Sequence, residues 1–171
     1  MSAQAGLPDV RFWFDPVCPF AWMTSKWVRT VQAQRDYDVE WRFISLRLLN
    51  AHIDYESHFP PEYEAGHTAG LKMLRVCAHV RDEHGPAAVA ALYPALGARN
   101  FDQPPGSFDP AQPGALVELV SAALTEVGLP GALVEHLDDT TRDKQIQAET
   151  DEALALTGKD VGTPILHIAP P

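Results

Sequence analysis

Cysteine is scarce in this chain: two in 171 residues, Cys18 and Cys77. Two thiols cannot build the disulfide framework of a small secreted domain. A single Cys18–Cys77 bridge is all the composition leaves open, and nothing else points to export. Positive charge is also short, with 13 Lys and Arg against 23 Asp and Glu, a net charge of −10 and a pI of about 5.0. There is no basic run or stripe, which argues against nucleic acid as a partner. The acidic balance disfavours anionic membranes and, weakly, anionic substrates. No apolar run approaches the roughly 18 residues that a membrane span needs. The opening MSAQAGLPDV has neither the charged start nor the apolar centre of a signal peptide. No phosphate-binding glycine loop or paired acid/base carboxylates stand out, so no nucleotide is expected. Seven histidines are present but show no ligand spacing, since His79 and His84 fall on different helix faces. No metal is therefore expected. What remains is a soluble cytoplasmic protein the size of one domain, 46% hydrophobic and able to form a core.

The chain opens with a clear pattern. VRFWF at 10–14 is aromatic and β-branched and stops at Asp15-Pro16, which reads as a buried strand. Pro19 suits the first turn of a helix, and Trp22, Met23, Trp27, Val28 and Val31 carry helical spacing over 19–35. VEWRFISL at 39–46 alternates as a strand does. Strand, helix and strand imply a right-handed parallel crossover, with Cys18 at the carboxyl edge of the sheet, where sites in open α/β sheets gather.

The middle, 47–140, reads as helices and Pro/Gly breaks. Helices are expected at 64–85, closed by Gly85, and at 86–99, kinked or ended by Pro94. A loop follows at 100–114, then helices at 115–128 and 130–139. A helix over 142–158, capped by Thr140 or Thr141, leads to a strand at Ile165, Leu166 and Ile168. The fold class is α/β, with a first part at 1–50, an inserted helical domain at 51–140 and a return at 141–171. The sequence stops just after the returning strand, so an edge hairpin and a last helix are expected to be missing.

Cys18 would start its helix, where unsatisfied amides and the helix dipole favour a thiolate. Its pKa is therefore expected below the free value of about 8.5. Ala21 stands where a dithiol enzyme has its resolving cysteine, so any mixed disulfide on Cys18 needs an external thiol for release. Phe20 is expected to face out as an apolar lip, and Trp13, Trp22 and Trp27 to pack in the core. Cys77, on an apolar face with Met73 and Val80, is expected to be buried and inert.

FWFDPVCPFAW, ISLRLLN at 44–50 and VGTPILHI at 161–168 together resemble the thioredoxin superfamily in its DsbA-like branch. The similarity is greatest to actinobacterial mycothiol-dependent nitroreductase-like proteins of a monothiol kind. The resemblance implies a thioredoxin fold with a large helical insertion. It implies Cys18 as catalytic thiol, supported by Pro19, Phe20, Ala21 and Thr163, with Pro164 cis and opposite it. It places Trp22, Asn50 and Tyr63 among substrate-binding residues and suggests a homodimer. The implied activity is reduction of small disulfide or nitro-type substrates with mycothiol, or glutathione, as co-substrate. The acidic chain favours mycothiol, which lacks the charge of glutathione. Two alternatives remain open: a transferase or isomerase that activates a bound thiol, and a redox-inactive binding module.

Overall fold

The computed structural model describes residues 8–169. Strand β1 (Val10–Phe14) lies at the centre of a three-stranded sheet of order β2-β1-β3. It pairs in parallel with β2 (Val39–Phe43), from Val10 opposite Val39 to Phe14 opposite Phe43. It pairs antiparallel with β3 (Ile165–Ile168), Trp13 opposite Ile165. Alternation sends Phe12 and Phe14 into the main core, while Trp13 joins Ile44, Ala153 and Ile165 on the other face. A strand apolar on both faces is what VRFWF encodes.

Helix α1 (Pro19–Gln32) connects β1 to β2. Its buried positions, Ala21, Trp22, Ser25 and Val28, form one stripe. Trp27 is 60% exposed, so it is not a core residue. At 100° per residue it turns well away from Trp22, beside exposed Met23. Trp22 packs edge-on against Tyr93 and donates from Nε1 to Asp102 Oδ1 at 3.0 Å.

The second strand ends earlier than its alternation suggests. Ser45 leaves the sheet and caps the short helix α2 (Leu46–Leu49), its Oγ accepting from the Leu48 amide at 3.3 Å. A serine followed by a short apolar turn competes for the backbone in this way. Then follow α3 (Tyr55–His58), α4 (Glu62–His84), α5 (Pro86–Phe101) and α6 (Ala115–Glu126). Helix α5 runs through Pro94 rather than ending there. Interior proline costs about 3 kcal/mol, and burial of Leu92, Tyr93, Ala95 and Leu96 on both sides of it offsets this.

Gly131–Asp138 is a 3-10 helix, not an α-helix, and a 3-10 turn at Thr140–Arg142 follows. Asp139, rather than Thr140 or Thr141, supplies the cap there, accepting from the Thr141 amide at 2.9 Å. Helix α7 (Asp143–Thr157) has Arg142 at its N-cap without a side-chain cap bond. Glu149 fastens α7 to the sheet, accepting from the Phe43 amide at 2.9 Å and pairing with Arg81 of α4. Thr150 accepts from the Ser45 amide at 3.1 Å.

Candidate active site

The site begins where β1 stops. Asp15 is fully buried and organises the turn: Oδ1 accepts from the Val17 amide at 3.0 Å, and its carbonyl accepts from the Cys18 amide at 3.0 Å. Its Oδ2 accepts from the Leu46 amide at 2.8 Å, reaching across to α2. This leaves Cys18 in extended geometry as the N-cap of α1. The sulfur accepts from the Ala21 amide at 3.4 Å. The thiol donates to the Thr163 carbonyl at 3.3 Å, across 145 residues of sequence. The Thr163–Pro164 peptide bond is cis.

Cys18 is only 4% exposed, yet it borders a cavity of about 660 Å3. Phe20, 74% exposed, stands at its rim. Pro19, Asn50, Tyr63 and Thr163 also line it. Asn50 caps α2 and ties its amide nitrogen to the Leu46 carbonyl at 2.9 Å. Tyr63 stacks on Phe59 with ring centroids 5.5 Å apart. Trp22, expected near substrate, is buried behind the site and does not reach the cavity, because its position on α1 turns inward. Ala21 is fully buried too and contributes its amide rather than its side chain.

His67 is a cavity residue that sequence reasoning missed. Its Nδ1 lies 2.9 Å from the Tyr55 hydroxyl, and burial holds its pKa below the usual histidine value. The signal was present in the i, i+4 spacing of Tyr63 and His67 on one helix face.

The electrostatics of the thiol differ from the expectation. Burial pushes the Cys18 pKa up, not down. The Ala21 and Phe20 amides pull against this, and the nearby Asp15 charge adds to the rise. A helix start lowers a thiol's pKa most where water also reaches it, and here desolvation is the larger effect. Asp15 itself is pushed up to about 7 by burial, against its bonds from Val17 and Leu46. Since its folded value lies above its unfolded 3.8, the native state holds the extra proton between about 4 and 7. Asp15 therefore lowers stability as pH rises through that window, with no further loss above it.

Asp15→Asn is expected to raise the rate at which iodoacetamide alkylates Cys18 at pH 8.5, where Asp15 is ionised, by about three- to tenfold, because the charge opposing the thiolate is gone. An unchanged rate would remove Asp15 from the thiol's electrostatics. Cys77 is buried in α4, and burial raises its pKa to about 12. Both cysteines are free, so the Cys18–Cys77 bridge does not form.

Residues 17–170 match a family model described as Rv2466c-like, mycothiol-dependent nitroreductase Rv2466c. This chain belongs to the Rv2466c-like family. A relative, the uncharacterized protein Rv2286c of Mycobacterium tuberculosis, is 31% identical over 158 residues. The alignment covers 92% of this chain and 64% of the relative, so the chain spans less than two thirds of that protein's length. In this Rv2466c-like chain the matched span holds the whole cavity wall from Val17 to Thr163. Among the described residues, no helix is long and apolar enough to cross a membrane.

The expectation that no histidines come together needs correction. His79 of α4 and His136 of the 3-10 segment stack face to face beside Asp139, away from the cavity lining. The partners are distant in sequence, so no local spacing reveals them.

Proposed function

We propose that this Rv2466c-like chain is a thiol-dependent oxidoreductase that reduces small disulfide or nitro-type substrates through Cys18, with mycothiol as the co-substrate thiol. The observation that carries this reading is the Cys18 thiol, set at a helix start and bonded to Thr163, on the wall of an apolar cavity. The family description names a mycothiol-dependent nitroreductase, and that adds support. In this reading the described parts of 1–50 and 141–171, residues 8–50 and 141–169, form one thioredoxin-type unit and 51–140 an inserted helical one. The enzyme works in the cytoplasm, as a homodimer, without nucleic acid or nucleotide.

Burial favours the protonated form of the resting thiol. Its proton leaves to solvent, and the Ala21 and Phe20 amides then hold the thiolate. With a mycothiol mixed disulfide as substrate, the thiolate attacks mycothiol's sulfur and the substrate thiolate departs and takes up a proton. A second mycothiol thiolate attacks the same sulfur, giving mycothiol disulfide and freeing Cys18. A nitro substrate takes two electrons and two protons from two thiols, giving a nitroso product, one disulfide and water. Asn50, Tyr63 and His67 position the substrate in this scheme.

Mass spectrometry tests it. Reduced protein exposed to mycothiol disulfide is expected to gain one mycothiol on Cys18, and free mycothiol is expected to remove it. In Ala21→Cys the adduct should collapse to an internal disulfide without added thiol, because a resolving sulfur is then at hand. Glutathione disulfide run in parallel tells which thiol the cavity prefers. Failure of either disulfide to modify Cys18 would leave the binding-module reading standing. The buried, protonated state of Cys18 favours one second reading, a transferase or isomerase in which the cavity activates the external thiol instead.

A further inference from the structure

We propose that His79, His136 and Asp139 form a site for one divalent transition-metal ion of the zinc class, separate from the Cys18 cavity. Asp139 Oδ2 lies 2.9 Å from His79 Nε2 and 3.4 Å from His136 Nδ1. Donor separations of this size fit an ion with bonds of roughly 2.0–2.1 Å to nitrogen and oxygen. Two imidazoles and one carboxylate, with further positions open to water, suit such an ion better than calcium or magnesium, which take all-oxygen sets.

The fold builds this triangle deliberately from its parts. His79 is buried on α4. His136 and Asp139 are three residues apart at the end of the 3-10 segment, and that spacing eclipses side chains in a 3-10 helix. Asp139 Oδ1 is held by the Thr141 amide at 2.9 Å, which leaves Oδ2 to the imidazoles.

Two further observations point to a cation. Glu83 Oε1 faces the opposite nitrogens of both rings, 3.5 Å from His79 Nδ1 and 4.0 Å from His136 Nε2. With no ion bound, His79 Nε2 donates a hydrogen bond to Asp139 Oδ2, and an ion would take the place of that proton while Glu83 faces the far side of both rings. Charge completes the case. The nearby cations are already engaged by other acids: Lys72 with Asp138, Arg75 with Asp143 and Arg142 with Asp82. Among the described residues, only the two imidazoles lie within ion-pair distance of Asp139 and Glu83, while Arg75 acts on Asp139 from farther off. With neutral rings the cluster is negative at contact range, which favours a bound cation. The rings stack 3.6 Å apart and 8° from parallel, so their lone pairs run side by side. Binding therefore tips the two rings toward each other at the Asp139 end. The ion would clamp the 3-10 segment to α4.

The probes are Zn2+ by isothermal calorimetry and thermal melting, and Co2+ by visible absorption. One equivalent of Zn2+ should bind with micromolar affinity and raise Tm. His136→Ala should weaken binding at least about a hundredfold and abolish the Tm rise, and Glu83→Gln should weaken it about tenfold. Asp139→Asn keeps the Thr141 cap and should also lose the ion, which separates ligation from folding. Co2+ should show no thiolate charge-transfer band. The proposal is overturned by no saturable binding below about 1 mM, by full binding in both His136→Ala and Asp139→Asn, or by a thiolate band assigning the ion to Cys18.

Discussion

Cys18→Ser is expected to lower mycothiol-dependent reduction of a small disulfide at least about 10^3-fold while leaving the fold intact. The two parts of this result have separate causes. An alcohol neither ionises near neutral pH nor forms a disulfide, so both bond-forming steps are lost. Serine is, however, a preferred N-cap residue. It can take over the Ala21 amide that the sulfur now accepts at 3.4 Å and the Thr163 carbonyl to which the thiol now donates. Stability in urea should stay within about 1 kcal/mol of wild type. Alkylation of wild-type Cys18 should still be climbing as pH passes 9.0, because its pKa is raised above that value. Serine's effect on turnover then decides between the two readings of the cavity. Retained activity would assign the reacting sulfur to the bound co-substrate and make the site a thiol activator.

Glu149→Ala should destabilise the chain by about 3–5 kcal/mol, the cost of stranding a charge in a buried pair. The Glu149 side chain is 9% exposed. Its Oε2 accepts from the Phe43 amide and lies 3.2 Å from Arg81 Nη1, with a second contact from Arg81 to Oε1. Alanine leaves the Arg81 guanidinium over the Phe43 ring with no acid against it, and the Phe43 amide without a partner. Glu149→Gln keeps an acceptor for Phe43 and should cost less. Urea denaturation measures both. A loss under about 1 kcal/mol for alanine would mean that water reaches Arg81 and that the pair is not what joins α7 to β2 and α4.

The order of elements was legible because each segment carries its own period. VRFWF, the stripe of α1 and the glycines closing α4 and α7 are local signals, and they sit where they should. Errors arose where the deciding partner was distant. Ser45 looked like a strand residue until the cap of α2, and Thr150 beneath it, claimed its polar groups. Trp27 has helical spacing with buried neighbours but lies past the edge of the buried stripe. The thiol's pKa followed from the helix start alone, and the burial that reverses it comes from packing no local rule contains. Cys18 and Thr163 could be joined in advance only through resemblance, and His79 with His136 not at all.

Asp15 ties together both walls of the cavity from behind, through Val17 on the thiol side and Leu46 on the Asn50 side. Gly70 lies so close beneath it that an added Cβ would stand 2.4 Å from Oδ1. The gap between sulfur and amide is thus gauged by a single three-atom carboxyl braced on bare backbone. Any side chain larger than hydrogen at position 70 would have to push that carboxyl aside, and would carry the shift to both walls.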